Sequence, residues 1–163
     1  MTYSIKDHLD YNLWANRLMA EKIQQVDDEL LNREIKSSFP SVTKTVLHLW
    51  DTNVIWLSRL RGETSFTRPS ASFSGTKYDL LAGLISSTEI INSFIDSKGP
   101  DFLSQKLSYK NLKGEPWEDY VLDILFHVVN HGTYHRGQLV TMLRELGVTE
   151  LVNTDLIRYV RTH

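Results

Sequence analysis

Phe126-His127-Val128-Val129-Asn130-His131-Gly132-Thr133-Tyr134-His135-Arg136-Gly137-Gln138 carries three of the chain's six histidines, each four residues from the next. The surrounding sequence reads as one long helix from about Glu118 to Leu146. Apolar residues recur at Val121, Ile124/Leu125, Val128, Leu139, Met142/Leu143 and Leu146, the 3.6-residue spacing of a helix with one face in a core. Residues four apart on a helix share a face and sit roughly 6 Å apart along the axis. Two imidazoles so placed can converge on one metal ion. A buried histidine with a satisfied hydrogen bond is the plainer alternative. Three of them on an inward face each bring two polar nitrogens that need partners, and the apolar neighbours offer none. His127 and His135 stand about 12 Å apart along the axis, so all three cannot share one ion. Spacing permits the pair His127/His131 or the pair His131/His135, and either needs a third ligand from another helix.

Working outward, four segments repeat the helical period. Ile5, Leu9, Leu13/Trp14, Leu18, Ile23 and Val26 predict a first helix with Ser4 as its cap. Residues 27–40 break the pattern. Ser41 then caps a second helix running to about Arg61, with Val42, Val46, Leu49/Trp50, Asn53, Trp56/Leu57 and Leu60 inward and Gly62 as its stop. His48 lies at the edge of that stripe and is the best source of a third imidazole. The Gly-, Ser-, Thr- and Pro-rich stretch 61–77 predicts a long connection that covers a site or links subunits. A third helix follows from about Tyr78 to Ser97, with Leu81, Leu84/Ile85, Thr88, Ile91 and Ile95 inward. Residues 105–117 alternate in part and turn near Lys113-Gly114, predicting a small hairpin or irregular arm. A short last helix, 155–161, is capped by Asn153 or Thr154. The fold class expected is therefore all-α: one domain over residues 1–163, a four-helix bundle with a hairpin before its last long helix.

Composition narrows the chemistry. With 41% hydrophobic and 23% charged residues the chain is globular. A net charge of -2 with scattered Lys and Arg argues against a nucleic-acid partner. Without cysteine, thiolate metal sites, disulfides and a protein-borne thiol nucleophile are excluded. A metal must be held by nitrogen and oxygen, which admits zinc, nickel, iron, manganese or copper. No apolar run is long enough to span a membrane, and the stretch from Met1 to His8 lacks a signal-peptide pattern, so the expected location is cytoplasmic.

Tyr11-Asn12-Leu13-Trp14-Ala15-Asn16, Leu47-His48-Leu49 with Trp56-Leu57, Asn130-His131-Gly132-Thr133-Tyr134-His135-Arg136-Gly137-Gln138 and the closing Thr154-Asp155-Leu156-Ile157-Arg158-Tyr159 together resemble the DinB family of the DinB/YfiT-like superfamily. The resemblance implies a metal-binding four-helix bundle, a homodimer, with one divalent ion held by His48, His131 and His135. His127 is then a neighbour of the ligands or a core residue. Gly132 stands where the resemblance leads one to expect a small polar residue. The superfamily includes thiol-dependent S-transferases and an isomerase that uses a low-molecular-weight thiol. The function expected is a metal-dependent enzyme acting on a small molecule, of thiol S-transferase or hydrolase type. The alternative is a non-catalytic metal-binding or interaction protein of the DNA-damage or stress response. Gln138 and Asp51 are candidates to orient a ligand, and Tyr11, Asn12 and Asn16 to reach the cavity from the first helix.

Overall fold

A computed structural model describes residues 3–163; Met1 and Thr2, the start of the N-terminal stretch read above, lie outside them. Four long helices form the body: α1 (Ile5–Gln24), α3 (Val42–Leu60), α4 (Lys77–Asp96) and α5 (Val121–Glu145). Short helices α2 (Asp28–Asn32) and α6 (Leu156–Thr162) and a two-stranded hairpin, β1 (Lys106–Lys110) with β2 (Pro116–Tyr120), complete it.

The starts are set by side-chain caps. Ser4 and Thr76 each close a capping box with the aspartate three residues on, Asp7 and Asp79, and the Ser41 hydroxyl accepts from Lys44 N–H, satisfying amides the helix leaves free. Two sequence boundaries are corrected. The last long helix starts at Val121, not Glu118, because Pro116–Tyr120 pair with Lys106–Lys110 and the Val121 amide donates to Gln105 O at 2.9 Å. The hairpin therefore takes the residues that periodicity had assigned to the helix. It turns through Gly114 at φ +84°, a left-handed conformation that suits glycine. The cap of α6 is Asp155 without a side-chain bond, while Asn153 Oδ1, two residues earlier, accepts from the Asp155 amide.

Both α1 and α3 pack against α4 and α5. The first two long helices thus face each other across the bundle diagonal, and so do α4 and α5. This is not an up-down order in which each helix neighbours the next. Both diagonal crossings are made by the structured connections, α2 with residues 33–41 and the hairpin with its preceding turn.

The interior divides into two apolar clusters. One gathers Met19, Ile23, Val46, Leu49, Leu81, Leu84, Leu139 and Met142; the other gathers Leu9, Leu57, Ile91, Ile95, Ile124, Leu125 and Val128. Between them runs a polar belt through the middle of all four long helices. Asn16 Nδ2 donates to Thr88 Oγ1 at 3.2 Å, and Asn53 Nδ2 to Ser87 and Thr88 at 3.0 and 3.1 Å. Arg136, 1% exposed, donates to Asn12 Oδ1 at 2.6 Å and Asn16 Oδ1 at 2.8 Å. The inward stripe of α1 accordingly passes through Asn12, Ala15, Asn16 and Met19, whereas Leu13, Trp14 and Leu18, expected inside, are only half-buried. Hydrogen bonding across the bundle outweighs the hydrophobic preference there. Among the described residues no helix is long and apolar enough to cross a membrane.

Candidate metal centre

His131 and His135 lie on the face of α5 turned to α3, one turn apart, and His48 meets them from α3. Their Nε2 atoms converge: His48 to His131 is 2.9 Å and His131 to His135 is 3.1 Å. The ligand atoms of all three lie within 4.8 Å of one another. For bonds of about 2.0–2.1 Å, coordination angles between a right angle and the tetrahedral angle place donor atoms about 2.9–3.4 Å apart. The two close separations suit that range.

The proton on His135 is fixed by its neighbour. Gln138 Oε1 accepts from His135 Nδ1 at 2.7 Å, which leaves Nε2 as a bare lone pair aimed at the other rings. Gln138 is itself held by donating to Ser38 Oγ at 3.2 Å and Tyr134 Oη at 3.1 Å. Burial pushes His48 down to about 4, helped by His135, and His131 down to about 3, helped by His135 and His48. His135 is lowered too, with Gln138 opposing. Three imidazoles kept neutral, with converging nitrogens that one shared proton cannot satisfy, form a donor set that suits a divalent cation.

The cover of this centre was not anticipated. It is residues 35–40, closed by Ile35 N–H to Pro40 O at 3.0 Å, and not the 61–77 connection. Phe39 stacks on the His48 ring at 4.0 Å with planes 22° apart. Phe39 is the lone aromatic residue in the break between the first two long helices, a signal that was available.

Several candidate residues do other work. Asp51 does not orient His48: its carboxylate accepts from Ser70 N–H at 2.9 Å and Ser70 Oγ at 2.5 Å, anchoring the turn Pro69–Ala71 to α3. Asp51→Ala is therefore expected to loosen residues 61–76, seen as faster amide exchange there, while metal affinity changes less than the roughly 10–100-fold typical of groups that orient a ligand. Tyr11 donates to Thr154 O at 2.9 Å and holds the C-terminal segment. Asn12 and Asn16 clamp Arg136 instead of reaching the histidines. The reason is topological: α1 is diagonal to α3, so a centre built between α3 and α5 is out of its reach. His127 is not a core residue and stands outside the convergent group; it is exposed, edge-on to Trp56 at 5.4 Å, with its ring 5.7 Å from His131.

The turn of α5 that carries His131 and His135 carries the clamp on its other face. A Cβ on Gly132 would lie 2.7 Å from Asn12 Oδ1 and 3.0 Å from Arg136 Nη1, so glycine makes room for that bond. Gly132→Ala should lower thermal stability despite the gain of about 1 kcal/mol in helix propensity, because overpacking typically costs about 1–3 kcal/mol. An unchanged or raised Tm would show that the clamp yields easily.

Fold and centre together define a four-helix bundle with a three-histidine cluster between two of its long helices. The sequence model of the DinB family matches residues 1–162, and the chain belongs to that family. Protein DinB of Bacillus subtilis (strain 168) is 31% identical over 144 residues, covering 85% of this chain and 83% of the relative. Among solved structures, a DinB-like protein of Bacillus cereus ATCC 10987 superposes with TM-score 0.69 at 17% identity, over 93% of this chain and all of that one. YfiT of Bacillus subtilis, a probable metal-dependent hydrolase with an unusual four-helix bundle topology, superposes with TM-score 0.67 at 12% identity, over 91% of each chain.

Proposed function

We propose that this protein is a divalent-metal-dependent enzyme whose ion is held by His48, His131 and His135, and that it acts as a hydrolase or thiol S-transferase on a small molecule. The convergence of three neutral Nε2 atoms carries the reading. A likeness in fold to YfiT, a probable metal-dependent hydrolase, supports it. When bound, the ion supplies Lewis-acid chemistry to an oxygen or sulfur group. The chain's own part is to orient and to shield. Gln138 fixes the ring and tautomer of His135, Phe39 braces His48, and the half-exposure of His48 and His131 leaves approach from solvent. With no cysteine in the chain, a transferred thiol must come from a low-molecular-weight thiol. The working form proposed is a homodimer, which sedimentation would test.

Two observations favour the alternative of a non-catalytic metal protein. A recess of about 300 Å³ beside the centre has Gln138 and Tyr134 in its wall but none of the three histidines, and a groove of about 750 Å³ under the hairpin is lined by none of the three either. Loading the protein with zinc, nickel, manganese or iron and screening esters, amides and electrophiles with several small thiols decides between them. Turnover that vanishes in His131→Ala supports the enzyme. Tight metal binding with no turnover in any arm supports the alternative. In both cases the fold should stand without metal, because two apolar clusters hold the bundle. Chelation is expected to lower Tm while leaving the helical circular dichroism signal in place.

A further inference from the structure

The 750 Å³ groove lies between the C-terminal half of α3, the residues that follow it and the hairpin. Its size suits a small molecule, for which sites run roughly 300–1,000 Å³. Phe66, Tyr109 and Trp117 give its walls aromatic surface, and Trp117 is 55% exposed, an indole left without cover.

Arg59 forms the groove's charged wall. It is 9% exposed, and its guanidinium carbon sits 4.6 Å from the Trp56 ring centroid and 4.5 Å from that of Tyr109. Nη2 donates to Lys110 O at 3.0 Å, while Nε is buried without a partner. Among the described residues no carboxylate pairs with it. The groove's own acids do not compensate, since Glu118 bonds Lys106 at 2.9 Å and Glu63 lies 3.9 Å from Arg61. Pinning the hairpin to α3 accounts for the Nη2 bond and the ring contacts. It leaves a buried, rigidly held cation with an unmet donor and no anion, an arrangement that costs desolvation energy.

We infer that the groove is a second ligand site, for a small organic anion whose planar apolar body lies against Phe66, Tyr109 and Trp117 and whose carboxylate or sulfonate meets Arg59. Rings of this kind take flat ligands edge-on or offset-stacked, and a guanidinium binds such oxyanions through charge-assisted hydrogen bonds. The site is separate from the histidine cluster. Arg59 is eleven residues beyond His48, about 16 Å along the axis of α3.

The test uses nitrogen-15-labelled protein stripped of metal, so that a carboxylate has no ion to seek. The probes are 2-naphthoate and its neutral counterpart, 2-naphthalenemethanol. Four tryptophans give four indole signals. Saturable shifts are expected at Trp56 and Trp117, with Trp14 and Trp50 unmoved. Naphthoate should bind about ten-fold or more tighter than the alcohol, as one charge-assisted hydrogen bond implies. Arg59→Gln should erase that preference, and Trp117→Ala, at an exposed position, should weaken both probes. If Arg59→Gln does not fold, the acid-to-alcohol ratio in the unaltered protein and Trp117→Ala decide. Absence of saturable shifts, equal affinity for acid and alcohol, or shifts at Trp56, which meets His127 at 5.4 Å, with Trp117 unmoved, would overturn the inference. Because metal is absent throughout, failure here leaves the metal reading standing, and the reverse holds as well.

Discussion

His131→Ala is expected to lower divalent-metal affinity by more than about 100-fold, on the order of 3 kcal/mol. His131 Nε2 is the atom shared by both short contacts, 2.9 Å to His48 and 3.1 Å to His135, so its loss leaves two nitrogens with no common neighbour. His48→Ala and His135→Ala should also bind weakly, each having lost one donor of three. His127→Ala is expected to change affinity by less than about ten-fold, below the range typical of groups that orient ligands, because its ring meets Trp56 and lies tilted 5.7 Å from that of His131, outside the cluster. Titration with zinc or nickel against a competing chelator measures all four. A His127→Ala loss equal to that of His131→Ala would show that the pair of imidazoles on α5 had been assigned one turn out of register.

Arg136→Ala should be the most destabilising single change in the protein, by about 3–5 kcal/mol. It orphans the Asn12 and Asn16 carboxamide oxygens, removes the bond from Nη2 to Thr133 Oγ1 at 2.9 Å and opens a cavity in mid-bundle. At this chain length each kcal/mol moves Tm by roughly 2–4 °C, so a fall of around 10 °C or more is expected in a thermal melt. Arg136→Met makes the useful comparison, since it keeps the stem's volume and removes the charge. Burial lowers the pKa of Arg136, opposed by Tyr11, and no carboxylate pairs with it among the described residues. The methionine variant should accordingly lose less than the alanine variant. A shift under about 1 kcal/mol for Arg136→Ala would mean that water replaces the guanidinium without cost.

Helix positions and the histidine pair were legible in the sequence because each is a local property. Val121, Leu125, Val128, Leu139 and Leu143 repeat on one face whatever lies opposite, and Ser4 and Ser41 cap by contacts within three residues. The role of His48 is not local. Its edge-of-stripe position allowed a surface residue equally well, and the family resemblance, not periodicity, singled it out for the cluster. Asp51, Asn12 and Asn16 could be offered only as candidates for the same reason. A polar residue on an inward face announces that it has a partner but not which one, and theirs are Ser70 and Arg136, 19 and at least 120 residues away. Phe39 eluded periodicity because it belongs to no helix.

The belt through the middle of the bundle has a bearing on how this sequence can drift. Leu81 and Leu84 belong to one apolar cluster and Ile91 and Ile95 to the other, although one helix carries all four. Changes on opposite sides of a hydrogen-bonded partition share few partners, and substitutions without shared partners combine additively. Double-mutant cycles across the belt should therefore close to within about 0.5 kcal/mol, whereas cycles within a cluster should not. The cluster around Ile95 and Leu125 can then be rewritten, residue by residue, with the lineage free to alter the hairpin end of the molecule while Val46, Leu49 and Leu139 continue to hold the histidines in place.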